Sequence, residues 1–265
     1  MLPWLSASFP HFPDTGMALD EPDGLLAAGG ELSPTWLVSA YRQGIFPWYS
    51  DGDPILWWSP NPRMVLFPEA FKQRRSLTKR LRHGGFRVTL DQQFDTVINA
   101  CAAPRRHESG TWITPDMQDA YCQLHERGIA HSIEVTHQER LVGGLYGLAM
   151  GPVFFGESMF SHQPDASKVA LAYLSAAMHQ HGGKIIDCQM HTPHLASLGA
   201  VTVAREAFIN YLKVWLPSQA FAWPASSDEA PRVPPSPWLN ALAEPNNTDL
   251  IHRRTLTPPK EANRE

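Results

Sequence analysis

The order of elements in the second half of the chain predicts an α+β fold with a mixed sheet. From His131, apolar and polar residues alternate, which is typical of a half-buried strand. Two further β-like runs flank Gly151-Pro152 and predict a hairpin. A helix over 166–180 with Asp165 as its cap is expected next. It is followed by a short strand over 184–190 that is expected to be buried on both faces, with Met190 among its apolar residues. Hairpin, helix and strand in this order favour a sheet with parallel and antiparallel neighbours.

The other elements follow from local start and stop signals. Ser33-Pro34 combines a helix N-cap with a proline in the first turn, and Gly44 ends that helix. Thr114-Pro115 repeats the pattern at the start of a second helix. Tyr41 is expected on the apolar face of the first helix and Tyr121 in the apolar stripe of the second. The remaining expected elements are a strand over Phe86–Leu90, a helix over Phe94–Ala102, a helical turn over 193–198, a strand over Val201–Val203 and a helix over 205–216.

The composition argues against several classes of protein. The 265 residues are 43% hydrophobic and carry a net charge of -4, so no overall basicity indicates nucleic acid. The cysteines are three in number, without C-x-x-C spacing, which argues against a disulfide framework or a zinc site. We see no signal-peptide pattern and no apolar run near the ~18 residues of a membrane span. A cytoplasmic protein is therefore expected.

Two proline-rich loops between residues 44 and 63 carry a dense set of aromatic side chains. These are Phe46, Trp48, Tyr49, Trp57 and Trp58. Trp and Pro often pack together as a rigid corner, which is one interpretation. Rings held on such loops also form platforms on which bases stack, each stack contributing ~1–3 kcal/mol. The pattern alone leaves both interpretations open.

A basic stretch follows at 63–87. Eight Lys and Arg residues stand there against Glu69 alone, which gives a local charge of +7. Lys72, Arg75, Lys79 and Arg82 recur at three- and four-residue spacing and would share one face of a helix. Such a face is either simply solvated or binds phosphates next to the aromatic loops.

Polar residues inside apolar strands are the main candidates for chemistry. Asp187 and Gln189 lie two residues apart in the strand over 184–190 and are expected on the same side of it. Glu157 lies mid-strand beside Gly156, which suggests a bulge or a close approach of ligand. A buried carboxylate needs hydrogen bonds or a charged partner. Asp187 is accordingly either a structural tie or part of a functional centre.

Six motifs, taken in order, resemble one known family. They are Gly44-Ile-Phe-Pro-Trp48, Leu56-Trp-Trp-Ser-Pro60, Gly110-Thr-Trp-Ile-Thr114, Gly144-Leu-Tyr-Gly147, Phe155-Gly-Glu-Ser-Met-Phe-Ser161 and Ile186-Asp-Cys-Gln189. With these motifs, residues 21–216 resemble the leucyl/phenylalanyl-tRNA–protein transferases. The resemblance implies a small N-terminal domain over 1–62 and a GNAT-type acetyltransferase-like domain over 63–224. The Pro-rich composition of 225–265 predicts a poorly ordered tail.

The resemblance also implies a reaction. Leu or Phe, with Met as a further candidate, would pass from aminoacyl-tRNA to proteins that begin with Lys or Arg, and so mark them for degradation. Two other functions are open: an acyl-CoA-dependent N-acetyltransferase and a non-catalytic RNA-binding module. The segment 161–168 lacks glycine and contains Asp165, so it suits a pyrophosphate poorly. Polar residues in the inner sheet argue against a mere binding module.

The resemblance assigns residues to this reaction. Asp187, Gln189 and Glu157 would form the catalytic centre, and Trp48 and Trp112 would flank the terminal adenosine. Phe46 would belong to the residues that bind the adenosine or the aminoacyl group. The tRNA phosphates would meet the four basic residues named above, and neither a metal nor an organic cofactor is implied. The aminoacyl pocket would include Leu145, Phe154, Gly156 and Cys188.

Overall fold

The computed structural model describes residues 2–103, 111–217, 221, 223 and 224. The N-terminal part forms a four-stranded sheet in the order β1-β2-β4-β3. Strands β1 and β2 run parallel, and the other neighbours run antiparallel. The bounds are β1 Trp4–Leu5, β2 Leu25–Gly29, β3 Phe46–Pro47 and β4 Leu56–Trp58. Helix α1, Pro34–Arg42, connects β2 to β3. Ser33 occupies its N-cap position as predicted, but the Ser33 side chain does not form the expected capping hydrogen bond.

A larger, seven-stranded sheet carries the rest of the chain in the order β11-β5-β10-β9-β8-β7-β6. Strand β10 is parallel to β9, whereas every other neighbouring pair is antiparallel. The α+β fold class with a mixed sheet is thus confirmed. The strands are β5 Arg63–Leu66, β6 Phe86–Leu90, β7 Ala130–His137, β8 Arg140–Met150, β9 Val153–Ser161, β10 Ile185–Gln189 and β11 Val201–Val203.

Helices cover both faces of the larger sheet because its strands are apolar on both sides. Neighbouring residues of β9 divide between two hydrophobic clusters, with Phe155 in the first and Phe154 in the second. Helices α1, α3 and α4 contribute to the first cluster, and α2 and α5 to the second. The further helices are α2 Arg75–His83, α3 Phe94–Ala102, α4 Pro115–Glu126, α5 Ala166–Gln180, α6 Pro193–Ser197 and α7 Arg205–Trp215.

Three local predictions are wrong. Lys72 lies before α2 rather than on it, and its backbone N–H donates to the Leu198 carbonyl. Asp165 occupies the N-cap position of α5 but adopts a left-handed backbone conformation, and its side chain accepts from Lys168 instead of capping. Met190 is not buried: it follows the end of β10 and is 41% exposed.

The predicted domain ranges 1–62 and 63–224 stay predictions. The chain leaves the small sheet after β4 and enters the large one at β5. However, one hydrophobic cluster includes residues from both sheets, such as Trp57 and Tyr146. The predicted tail, 225–265, lies outside the described residues. Within the described ranges, no helix is both long and apolar enough to cross a membrane.

Candidate active site

Glu157 occupies a β-bulge. The pairing of β8 with β9 shifts between Tyr146 and Gly147, which face Ser158 and Gly156 respectively. Glu157 is therefore the extra residue on β9, as the sequence suggested. A bulge turns a side chain away from the regular alternation of the strand. Glu157 is only 8% exposed, so its carboxylate must find its partners inside the protein.

A second irregularity lies next to it, at the end of β10. The pairing of β10 with β5 shifts between Asp187 and Gln189, and Gln189 has a φ of 60°, in the left-handed region. Regular alternation, on which the sequence prediction relied, therefore ends before Gln189. The Gln189 side chain still reaches the centre, because its Nε2 donates to Glu157 Oε1 at 2.9 Å. Its backbone N–H donates to Asp187 Oδ1 at 2.9 Å.

Two buried tyrosines complete the surroundings of Glu157. The Tyr121 hydroxyl donates to Glu157 Oε2 at 2.8 Å, and the Tyr41 hydroxyl contacts that of Tyr121. Burial raises the pKa of Glu157 from 4.5 to about 7, and the tyrosine hydrogen bonds oppose this rise. Burial, followed by the charge of Glu157, raises the pKa of both tyrosines well above 10.0. Glu157 is hence the group in this cluster that changes protonation near neutral pH.

Asp187 is wholly buried and forms an ion pair with Arg63. Its Oδ1 accepts from Arg63 Nε at 2.8 Å and its Oδ2 from Arg63 Nη2 at 2.6 Å. The third guanidinium nitrogen, Nη1, donates to the Gly44 carbonyl at 3.2 Å. The Arg63 guanidinium carbon also lies 4.7 Å from the ring centroid of Phe46. With Gln189 N–H included, both Asp187 oxygens are engaged by three donors.

A small apolar pocket of about 100 Å³ adjoins this centre. Its lining includes all four predicted pocket residues: Leu145, Phe154, Gly156 and Cys188. The same pocket is lined by Glu157, Asp187 and Gln189, so the structure brings the predicted catalytic and pocket residues together. Burial and the Asp187 charge raise the pKa of the Cys188 thiol, which therefore stays protonated and is a poor nucleophile.

The predicted substrate-binding aromatic residues separate into two groups. Trp48 and Trp112 both line a cleft of about 1110 Å³. Trp48 is 37% exposed, and its carbonyl accepts from the Trp58 indole. Phe46 lies elsewhere: it is 2% exposed and packs against Arg63, because β3 turns its ring into the core. The structure therefore gives Phe46 a packing role and does not place it in the cleft.

The predicted basic face exists on α2 with three members. Arg75, Lys79 and Arg82 are exposed, whereas Leu77 of the same helix is buried. Arg63 was counted in the basic stretch, but its burial removes it from this surface. Within the described part of the chain, no group of three or more His, Cys, Asp or Glu residues is arranged to hold a metal ion.

Comparison with known proteins identifies the family. The model of the leucyl/phenylalanyl-tRNA protein transferase family matches residues 65–213, and the model of its N-terminal domain matches residues 30–61. The leucyl/phenylalanyl-tRNA–protein transferase of Chromohalobacter salexigens is 60% identical over 228 residues, covering 85% of this chain and 89% of that protein. The chain belongs to the leucyl/phenylalanyl-tRNA–protein transferase family. The family predicted from the six motifs is thus confirmed.

A second relative is similar over most of its length, and one solved structure aligns with a low TM-score. The leucyl/phenylalanyl-tRNA–protein transferase of Pseudomonas putida is 58% identical over 212 residues, covering 80% of this chain and 94% of that protein. Among solved structures, a GCN5-related N-acetyltransferase from Kribbella flavida aligns with a TM-score of 0.33 at 9% identity. That alignment covers 63% of this chain and 60% of the acetyltransferase.

Sequence reasoning missed three residues of the centre: Arg63, Tyr41 and Tyr121. Arg63 was hidden within the basic stretch, where its partner 124 positions away could not be seen. The tyrosines were assigned only to the apolar faces of their helices. One signal was available, because a buried tyrosine hydroxyl needs a hydrogen-bond partner. Two tyrosines in buried stripes therefore indicate a polar group between them.

Proposed function

We propose that this protein transfers Leu or Phe from aminoacyl-tRNA to the α-amine of proteins whose first residue is Arg or Lys. Met is a further candidate donor. In this reaction the α-amine attacks the ester carbonyl, a C–N bond forms, and the C–O bond to the tRNA ribose breaks. One amine proton goes to a base, and the departing ribose oxygen takes up a proton. The ester is already activated, so no covalent enzyme intermediate is needed.

Glu157 is the proposed proton acceptor. A general base works best when its pKa lies near the working pH, and burial brings the pKa of Glu157 to about 7. The α-ammonium group of the acceptor has a pKa of ~7.7–8.0, so an appreciable fraction is the neutral, nucleophilic amine near pH 7. Glu157 then accepts the proton that the amine nitrogen loses as the C–N bond forms. Tyr121 and Tyr41 hold the carboxylate in place from the opposite side. The negative charge of Glu157 also favours a cationic acceptor.

Gln189 is the proposed partner of the attacking amine. Its Nε2 is committed to Glu157, which leaves its carbonyl oxygen to accept a hydrogen bond from the amine. This arrangement would direct the amine toward the ester and toward its base at once. Positioning of this kind accounts for much of the rate of reactions whose substrates are already activated. The alternative, donation to the developing oxyanion, would require Gln189 to leave Glu157.

The donor would occupy both cavities. Its aminoacyl side chain would enter the apolar pocket beside Leu145 and Phe154, and its adenosine would lie in the large cleft between Trp48 and Trp112. Stacking of a base on such a ring contributes ~1–3 kcal/mol and does not depend on sequence. The tRNA phosphates would contact Arg75, Lys79 and Arg82 on α2, with Lys72 just before that helix.

The observation that carries this proposal is the hydrogen bond between Glu157 and Gln189 at an apolar pocket, in a chain of this family. The test is transfer of radiolabelled Phe from tRNA to a peptide that begins with Arg, beside the same peptide beginning with Ala. We expect label on the first peptide only. Labelling of both peptides would contradict the proposed acceptor, and labelling of neither would contradict the proposed reaction.

A further inference from the structure

Arg63 is a buried, charged side chain that is held in place by an ion pair, a backbone carbonyl and two aromatic rings. It lies in β5 at 1% exposure, and the forked geometry of its guanidinium matches the Asp187 carboxylate at two points. Phe46 and Phe208 flank it, with ring centroids 4.7 and 4.8 Å from its guanidinium carbon. Its remaining nitrogen donates to Gly44. Arg63 therefore connects three parts of the chain. It contacts the segment after α1 through Gly44, helix α7 through Phe208 and strand β10 through Asp187.

Stability alone is a weak reason for such a pair. Removing two charges from water is unfavourable, and well-packed apolar residues often replace a buried ion pair without loss of stability. In this structure the ion pair fixes the position of the backbone at Gln189. Asp187 Oδ1, held by Arg63, accepts the backbone N–H of Gln189. That contact closes the bulge in which Gln189 adopts its left-handed conformation and reaches Glu157.

We propose that Arg63 is a positioning residue of the transferase: by clamping Asp187, it fixes the bulge at Gln189 and thereby aims the Gln189 amide at Glu157 and the acceptor amine. The inference rests on the proposed function. It also assigns Asp187 a role through Gln189 rather than a proton-accepting role, since Asp187 is wholly buried and its carboxylate forms an ion pair with the Arg63 guanidinium. Arg63 touches neither substrate in this scheme.

The charge of Arg63 has a second consequence that a purely structural residue would not have. Burial raises the pKa of Glu157 to about 7, and the Arg63 guanidinium is among the groups that oppose the rise. Removing that charge should move the pH dependence of transfer upward. The other groups that influence or contact Glu157 come from α1, α4, β8 and β10 and are Tyr41, Tyr121, Tyr146, Asp187 and Gln189.

The first experiment compares Arg63→Ala with the native protein in Phe transfer to an Arg-initiated peptide. We expect kcat to fall about a hundredfold, the scale of a misplaced reacting group, with an unchanged KM for Phe-tRNA. Millimolar guanidinium chloride should restore part of kcat, whereas equal sodium chloride should not. Arg205→Ala is the matched control, because Arg205 also donates to a backbone carbonyl, that of Ser59, without contacting Asp187.

Two further variants separate positioning from folding. Arg63→Lys keeps the charge without the fork and should retain the native melting temperature with a partial loss of kcat. The double variant Arg63→Met/Asp187→Leu leaves no unpaired charge, and it should fold but transfer slowly. A double variant with native kcat, or guanidinium rescue of melting without rescue of kcat, would overturn the proposal. Absence of transfer by the native protein would instead refute the proposed function.

Discussion

Glu157 offers the sharpest test of the chemistry, through the substitution Glu157→Gln. Gln is close in shape to Glu and can keep both neighbours: its carbonyl can accept from Gln189, and its amide can donate to the Tyr121 hydroxyl. The substitution therefore removes the titrating charge with little change of structure. If Glu157 accepts the proton, turnover should fall about 10²–10⁴-fold, the usual contribution of a general base.

The pH dependence of the native enzyme follows from the same residue. Burial raises the pKa of Glu157 to about 7, so only about a tenth of the carboxyl is ionised one pH unit below that value. Single-turnover transfer should fall about tenfold per pH unit below 7 from this cause. The acceptor amine titrates as well, with a pKa of ~7.7–8.0. In Glu157→Gln the inflection due to the amine should remain, and that due to Glu157 should vanish.

The free energy of unfolding provides an independent check on the pKa of Glu157, because stability should fall with rising pH where activity rises. A carboxyl whose pKa is raised on folding stabilises the fold at acid pH, and this stabilisation is lost as the pH rises through about 7. The change from 4.5 to about 7 corresponds to about 3 kcal/mol. The native protein should lose about 3 kcal/mol of unfolding free energy from this residue between pH 4 and pH 8, whereas Glu157→Gln should not. The difference in stability between variant and native protein should therefore shift by about 3 kcal/mol in favour of the variant at pH 8.

Urea unfolding at the two pH values measures this difference, and single-turnover transfer of Phe measures the activity. If Glu157→Gln loses activity and is more stable than the native protein at pH 8, the result supports Glu157 as a buried general base whose burial costs stability. A variant with near-native transfer and an unchanged pH profile would refute the assignment of Glu157 as the base.

Three further predictions concern substrate binding. Trp112→Ala should raise the KM for aminoacyl-tRNA while the melting temperature stays native, whereas loss of a core aromatic would cost ~3–5 kcal/mol of stability. Arg75→Ala combined with Lys79→Ala should weaken tRNA binding equally for tRNAs of different sequence and reduce its salt dependence, which filter binding at several salt concentrations measures. Phe154 of the pocket stacks on Trp223, so Trp223→Leu should change the ratio of Phe to Leu transfer without changing the salt dependence.

Each of these predictions has a contrary outcome. A lower melting temperature with native KM would make Trp112 a core residue only. A native salt slope in the double variant would remove α2 from the tRNA interface. An unchanged Phe to Leu ratio in the Trp223 variant, measured with both donors in competition, would show that this stack does not shape the pocket.

The elements could be predicted well because their signals are local. Phe86–Leu90, Phe94–Ala102 and Val201–Val203 have the predicted bounds, since apolar periodicity and turn residues set them directly. The bulge at Glu157 was also suggested by a carboxylate next to a glycine. Lys72 shows the limit: its spacing fitted a helix, but the helix begins only at Arg75.

The interior of the site could not be predicted because its partners are distant in sequence. Arg63 and Asp187 form a buried pair that no spacing rule reveals. This pair also changes the experiment that the sequence suggests. Asp187→Asn leaves a buried guanidinium without its counter-ion, which costs ~3–5 kcal/mol when one partner of such a pair is lost. A loss of transfer in that variant would therefore mix misfolding with chemistry, whereas Glu157→Gln avoids the problem.

The most direct test of the account is a crystal structure of the protein with a non-hydrolysable phenylalanyl-adenosine analogue, in which an amide replaces the ester. We predict the adenine between Trp48 and Trp112, the phenyl ring against Leu145 and Phe154, and the acyl carbon next to the Gln189 side chain. Binding of the analogue wholly within the large cleft, with the small pocket empty, would contradict the placement of the reaction at Glu157 and Gln189.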